Sequence, residues 1–264
     1  MDFFQKEDEY KSIIKLFEFL KKILKKKNKQ LITCQSFLYF IYKQCRKWRR
    51  DNNSDMNEDF IKHIKVQINE VEKLLGHLPF GNFWYSWVKN DETTKNIINQ
   101  LKTGFNVRDN VTISFTKDQI LQLLSGNAGS SLSIKLLIDI ITQLANIEFN
   151  DRGNLIYFTK VELLKLLSGN AGSSKSMKLL IGIINQLKNG FNVRGNLIYF
   201  TKDQILQLLS RAAGSSKAMK LLIDIITDLS KICFNVYGNP ISLNYFTKNE
   251  ILQLLLGGAG SSKA

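Results

Sequence analysis

At 264 residues, with 44% hydrophobic side chains and only two prolines, the chain is long enough to bury a sizeable core and has a globular composition suited to long helices. A formal net charge of +14 points to an anionic partner, either nucleic acid or an acidic membrane surface. Three cysteines without CxxC spacing and two histidines outside any HExxH or Cys/His cluster argue against a zinc site, and the cysteines read as reduced, partly buried thiols of an intracellular protein. No metal or other cofactor is expected.

Residues 1–50 carry fourteen Lys and Arg against five Asp and Glu, a net of +9. The cations concentrate in "KKILKKKNK" (21–29) and "RKWRR" (46–50). The segment "KSIIKLFEFLKKILKKK" (11–27) is basic and amphipathic, and "LITCQSFLYFIY" (31–42) reads as a core helix. No transmembrane span is expected, because no stretch approaches 18 uninterrupted apolar residues. The start "MDFFQKEDEY" is too acidic for a signal peptide. Residues 51–59, "DNNSDMNED", read as an acidic loop, followed by a helix over 60–76 and the aromatic "LPFGNFWYSWVKN" (78–90). Trp48, Trp84 and Trp87 lie in or near basic aromatic stretches where they could touch sugar or base, although core packing is the role expected of at least two of them. The basic helical N-terminal region is placed at 1–90 and a repeat array at 91–264.

The array is written in nearly repeated letters. "FTKDQILQLLSG" begins at Phe115, "FTKVELLKLLSG" at Phe158, "FTKDQILQLLSR" at Phe200 and "FTKNEILQLLLG" at Phe246. These starts are 43, 42 and 46 residues apart, a period typical of stacked repeats. A degenerate partial copy (91–114) precedes repeats 115–157, 158–199 and 200–245 and a truncated copy 246–264. Thr116, Thr159, Thr201 and Thr247, each with Gln or Glu three residues on, predict a capped helix at the start of every unit. "SGNAGSS" breaks that helix with glycine, and "KSMKLLIGIINQLKN" (175–189) predicts a second helix buried through Met177, Leu180, Ile184 and Leu187. "FNVRGNLIYF" (191–200) closes the unit as a short hairpin or extended loop. One such unit cannot bury its own apolar faces, whereas stacked units can. The fold class expected is therefore mainly α: a right-handed α-solenoid of helix-loop-helix repeats with strand-like connectors.

This pattern resembles the repeat of the transcription-activator-like effectors and their TALE-like relatives. There, a short helix opening with Phe or Leu, Thr and Gln-Ile is followed by a variable pair, a Gly-Gly-Lys segment and a longer second helix. "FTKDQILQLLS" (115–125) matches the opening, and "GSSKSM" (172–177) matches the segment after the loop. The resemblance covers about 96–264. These units are longer than the family's, by about the length of the connector. The resemblance implies double-stranded DNA as partner, with one inter-helix loop per repeat in the major groove. It implies base reading by Asn127, Asn170, Ala212 and Gly258, where the copies vary. Phosphates would be held by Gly129, Gly172, Gly214 and Gly260 and by Lys175, Lys217 and Lys263 at the second-helix starts, with Leu132 in the lysine's place in the first copy. A register shifted by one residue would put the constant Ala128, Ala171, Ala213 and Ala259 at the base instead. Lys21, Lys22, Lys25, Lys26, Lys27, Arg46, Lys47, Arg49 and Arg50 would add sequence-independent affinity.

Two other readings stand beside this one. A protein-binding solenoid is the alternative, since "NGFNVRGN" (189–196) faintly resembles the ankyrin hairpin while the TPLH signature of that family is missing. Attachment to a membrane surface through 11–27 is the third. No enzyme and no small-molecule substrate are expected: the chain has no nucleophile–base pair, no GxxxxGK loop and no paired carboxylates in a special context.

Overall fold

The computed structural model describes residues 35–52, 58–193, 196–211, 214–231, 233–235 and 243–259, with Ile14, Glu18, Leu20, Leu31 and Cys34. The amphipathic stretch 11–27 otherwise lies outside the described residues, as do Lys21, Lys22, Lys25, Lys26, Lys27, Ala212, Ala213, Gly260 and Lys263. The chain is mainly helical. Among the described residues, no helix is long and apolar enough to cross a membrane.

Helix α1 (Gln35–Asn52) buries Phe37, Phe40 and Ile41, and α2 (Glu58–Leu75) buries Phe60, Ile64, Ile68, Val71 and Leu75 at helical spacing. The short α3 (Phe83–Lys89) packs on α1, and α4 (Asp91–Thr103) begins after Asn90, whose side chain accepts from the Thr93 amide. The aromatic segment is thus a core element. Trp84 and Trp87 are buried, so neither is available to a sugar or base; the Trp84 ring meets Phe37 and Phe40 at 4.9 Å and its Nε1 donates to the Pro79 carbonyl at 2.9 Å. Rings of that size fill the space between three helices better than any exposed contact would reward.

From α4 onward, one pattern of elements recurs. A β-hairpin, β1 (Phe105–Arg108) with β2 (Val111–Ile113), leads into α5 (Lys117–Ser125), a 3-10 turn (Asn127–Gly129), a second turn (Ile134–Leu136) and α6 (Leu137–Ala145). The next unit has β3 (Phe149–Asp151) and β4 (Asn154–Ile156), α7 (Lys160–Ser168), the turn Asn170–Gly172 and α8 (Ser174–Asn189). Then come β5 (Phe191–Val193) and β6 (Asn196–Ile198), α9 (Lys202–Ser210) and α10 (Ser216–Lys231), and finally β7 (Cys233–Asn235), β8 (Leu243–Tyr245) and α11 (Lys248–Leu254). The connectors are true antiparallel hairpins. In the second, Arg152 and Gly153 both take positive φ between the paired Asp151 and Asn154, as a two-residue turn matched to strand twist requires.

All four expected capping boxes form: Thr116 with Gln119, Thr159 with Glu162, Thr201 with Gln204 and Thr247 with Glu250. Like elements then pack on like. Helix α5 contacts α7 and α7 contacts α9, while α4, α6, α8 and α10 contact in succession. Upstream, α2 lies against α5, where a preceding unit's first helix would be. Buried side chains on both sides of Asn90 belong to one apolar cluster. In the last copy, Leu256 replaces the serine that ends the other first helices, and the chain continues as a π turn (Leu255–Ala259) that contains Gly258.

Successive units are also tied by polar contacts. Lys160 Nζ donates to the Ser114 carbonyl at 3.2 Å, and Lys202 Nζ donates to the Tyr157 carbonyl at 3.3 Å; each carbonyl immediately precedes the opening Phe of the unit before. Lys202 also pairs with Glu162 at 2.8 Å, both side chains being largely shielded. Burial pushes the Glu162 pKa up, but donation from Lys202 and from Thr159 outweighs it and holds the carboxyl below its ordinary value. Lys202→Met should cost about 2 kcal/mol, between the values for exposed and fully buried pairs. Because the folded Glu162 pKa is depressed, its contribution is complete above the ordinary carboxylate pKa and is lost as pH falls through the folded value. Urea melts at neutral pH and below pH 4 should therefore show the stability gap between wild type and variant shrinking in acid; a gap independent of pH would assign Lys202 to packing alone.

Candidate nucleic-acid interface

The loops between first and second helices contact one another, the turn Asn127–Gly129 lying against Asn170–Gly172. What sets their shape is glycine, at the two ends of the turn. A Cβ on Gly129, Gly172 or Gly214 would sit 1.8, 1.8 or 1.9 Å from the carbonyl oxygen of Leu124, Leu167 or Leu209, the first helix's own last turn. A Cβ on Gly126 would lie 2.6 Å from the Ser168 carbonyl oxygen of the next unit, and one on Gly81 only 2.0 Å from that of Ser125. Gly81 thus occupies, before the first full repeat, the place that Gly126 holds within it.

This geometry corrects the role expected of the loop glycines. Gly129, Gly172 and Gly214 are buried, and the close approach they permit is to the protein's own backbone. The amides of Gly129 and Gly172 donate within the turn, to Gly126 and Gly169, so they are not available to a phosphate. Ala128 and Ala171 are fully buried, which removes the shifted register at those two positions. Asn170 is exposed. Asn127 is half-buried and its Nδ2 donates to the Gly169 carbonyl at 3.3 Å, so one amide donor is committed to the neighbouring unit. Arg211, in place of Gly169, is exposed.

The second helices start just beyond. Ser173 accepts from the Ser176 amide at 3.3 Å and Ser215 from the Ala218 amide at 3.2 Å, as side-chain caps. Each cap satisfies one of the four amides that a helix start leaves open, and the positive end of the helix dipole remains. Lys175 and Lys217 are exposed in that first turn. In the first copy Leu132 takes the lysine's place, 68% exposed, and the chain there reaches α-helical geometry only at Leu137.

On α1, Arg46, Lys47 and Arg50 are exposed and Arg49 is half-buried. The first three help line a cavity of about 620 Å³ between α1, α2 and the end of α3. Cys34 and Cys45 are half-buried free thiols, and burial pushes Cys45 up to about 11, which keeps it protonated and unreactive at neutral pH. Among the described residues no group of three or more His, Cys, Asp or Glu could hold a metal ion.

The residues that sequence reasoning missed are the clip lysines. Lys117, Lys160, Lys202 and Lys248 share the third letter of the opening motif, a recurrence that capping does not require. Lys248 lies over the Tyr199 ring at 5.1 Å, and the Lys117 side chain passes beside Gly76, its Cδ 3.2 Å from where a Cβ would stand. No family model matches the chain, and neither a curated protein nor a solved structure matches it.

Proposed function

We propose that residues 91–264 form a right-handed α-solenoid that binds double-stranded DNA, its inter-helix loops facing the major groove and its second-helix starts facing phosphates. The observation that carries this reading is the pairing, in one unit, of an exposed Asn170 at a variable position with an exposed Lys175 at a capped helix N-terminus, on a loop that touches the loop of the preceding unit. An asparagine amide can both donate and accept at an adenine edge, and a cation beside a helix start suits a phosphate. Phosphate holding falls to Lys175, Lys217 and the open helix-start amides rather than to the loop glycines. The reading predicts Asn170 to discriminate more than Asn127, one of whose two amide N–H donors is already used.

Titration with random duplex at several salt concentrations tests this. Binding should weaken steeply with salt as condensed counterions are released. Lys175→Ala should lower the salt slope by up to about one unit and weaken all sequences alike. Asn170→Gly should leave the slope unchanged and alter preference at one base pair by about 1 kcal/mol. No binding at low salt, or binding indifferent to salt, would sink the DNA reading.

A protein-binding array is the second reading, and the hairpins favour it. Leu155 and Leu197 occupy equivalent strand positions and are 60% and 56% exposed, with Tyr199 beside them at 51%. A cavity of about 540 Å³ lies between the second and third hairpins, reaching Asp151 and Asp203. Failure of the duplex titration would transfer the function to this apolar edge.

A further inference from the structure

We infer that the cavity between α1, α2 and the end of α3 binds a compact diphosphate group, either free or at the head of a nucleotide. Lys43, Arg46, Lys47 and Arg50 all line it, at spacings of three and four residues that put them on one face of α1. Across from them stand His63 and Gln67, one turn apart on α2, and Trp87 closes the end. One acid, Asp91, also stands on the wall; it lies 3.8 Å from Lys95, which Glu70 and Glu92 hold more closely at 2.6 and 2.9 Å, so the four cations face a single carboxylate. The volume falls within the range of small-molecule sites. Four like charges on one helix face repel one another, and packing does not explain them, since Arg46, Lys47 and Arg50 are exposed. Arg46 leans on Tyr42 and Lys43 lies over Tyr39 at 5.3 Å, both neutral rings, while Arg50 is paired with Asp51 at 3.0 Å.

The uncharged groups are arranged to donate. Gln67 Oε1 accepts from Trp87 Nε1 at 3.1 Å, which orients the amide and leaves its NH₂ as the free donor. Gln44 Oε1 lies 3.2 Å from His63 Nε2, so a proton on that nitrogen orients the second amide in the same way. Burial, and after it the nearby Lys47, pulls the His63 pKa down. An arriving polyanion would reverse that repulsion and allow the imidazole to become a further cation. The charged groups that share the cavity with His63 are Lys43, Arg46, Lys47, Arg50 and Asp91. A concave site walled on three sides suits a short polyanion better than a duplex, whose phosphates are strung along a convex backbone. The inference does not rest on DNA binding by the loops.

Calorimetric titration of the full chain with inorganic pyrophosphate, and separately with ADP, is the test. Saturable binding at one site is expected, with the two probes competing. Pyrophosphate alone binding would assign the site to the free anion, and tighter ADP binding would assign it to a nucleotide head. The double variant Arg46→Gln, Lys47→Gln should weaken binding at least tenfold. Lys135→Gln, Lys178→Gln, which removes the same charge from exposed positions elsewhere, should leave it unchanged. In the unaltered protein, pyrophosphate should raise the His63 titration midpoint seen by NMR, a readout that needs no variant to fold. Absence of saturable binding, equal weakening by both double variants, or an unmoved His63 midpoint at saturation would each overturn the proposal.

Discussion

Gly129→Ala is expected to destabilise the protein by about 3 kcal/mol or more, and Gly182→Ala to stabilise it by about 0.5–1 kcal/mol. The two substitutions add the same methyl group. At Gly129 that methyl meets the Leu124 carbonyl oxygen at 1.8 Å and its carbon at 2.5 Å. Both are backbone atoms of the preceding helix, so relief requires the turn to move away from the helix it terminates. Movement there also disturbs the neighbouring units, because the Ser86 hydroxyl donates to the Gly129 carbonyl and the next unit's turn packs alongside. Gly182 is an exposed interior position of α8 where a new Cβ would meet nothing within 4 Å beyond its own stretch of helix, so only its backbone entropy changes. For a chain of this size the Gly129 effect corresponds to a fall in melting temperature of roughly 6–12 °C. Denaturant midpoints of both variants check the pair. Similar small changes at the two positions would mean that the turn accommodates a side chain and that glycine has another purpose there, such as approach to a ligand.

Trp84→Ala should cost about 4 kcal/mol, as large-to-small changes of buried aromatic residues do. The ring is fully buried and touches Phe37, Phe40 and Phe83, with centroids 4.9, 4.9 and 5.5 Å away. Its loss leaves a void where α1 and α3 meet, and strands the Pro79 carbonyl that accepts from Nε1. Trp84→Phe keeps much of the volume and loses mainly that hydrogen bond, so about 1–2 kcal/mol is expected. Circular dichroism and denaturant melts separate the two. Should Trp84→Ala instead fold with undiminished stability and lose duplex binding, the ring would be a contact residue after all, against its burial.

Much of this protein is local enough to be read without a structure. The capping boxes join residues three apart, the hairpins follow from residues that tolerate positive φ between short alternating strands, and the apolar faces of the second helices come from a period of 3.6. Each depends on atoms that a few residues bring together wherever the chain goes. The loop chemistry was legible in type, as Gly, Ser and Lys at a helix start, but not in role. In sequence Gly129 and Gly172 have the setting of a phosphate-facing loop, whereas in the fold they face Leu124 and Leu167, and only the placement of the turn against its own helix distinguishes these. The clip from Lys202 to Tyr157 spans 45 residues, and that from Lys160 to Ser114 spans 46; they exist only because one unit lies against the next. Ala128 and Ala171 look like spare loop letters until the neighbouring turn covers them. The basic cavity is of the same kind. Four cations on α1 are visible as a pattern of letters, but a cavity needs α2 and α3 opposite them, and the apolar packing of Phe37, Phe40, Phe60 and Trp84 decided that arrangement. Local hydrogen bonds and periodicity therefore set the elements, while long-range burial set which polar groups remained free to meet a partner.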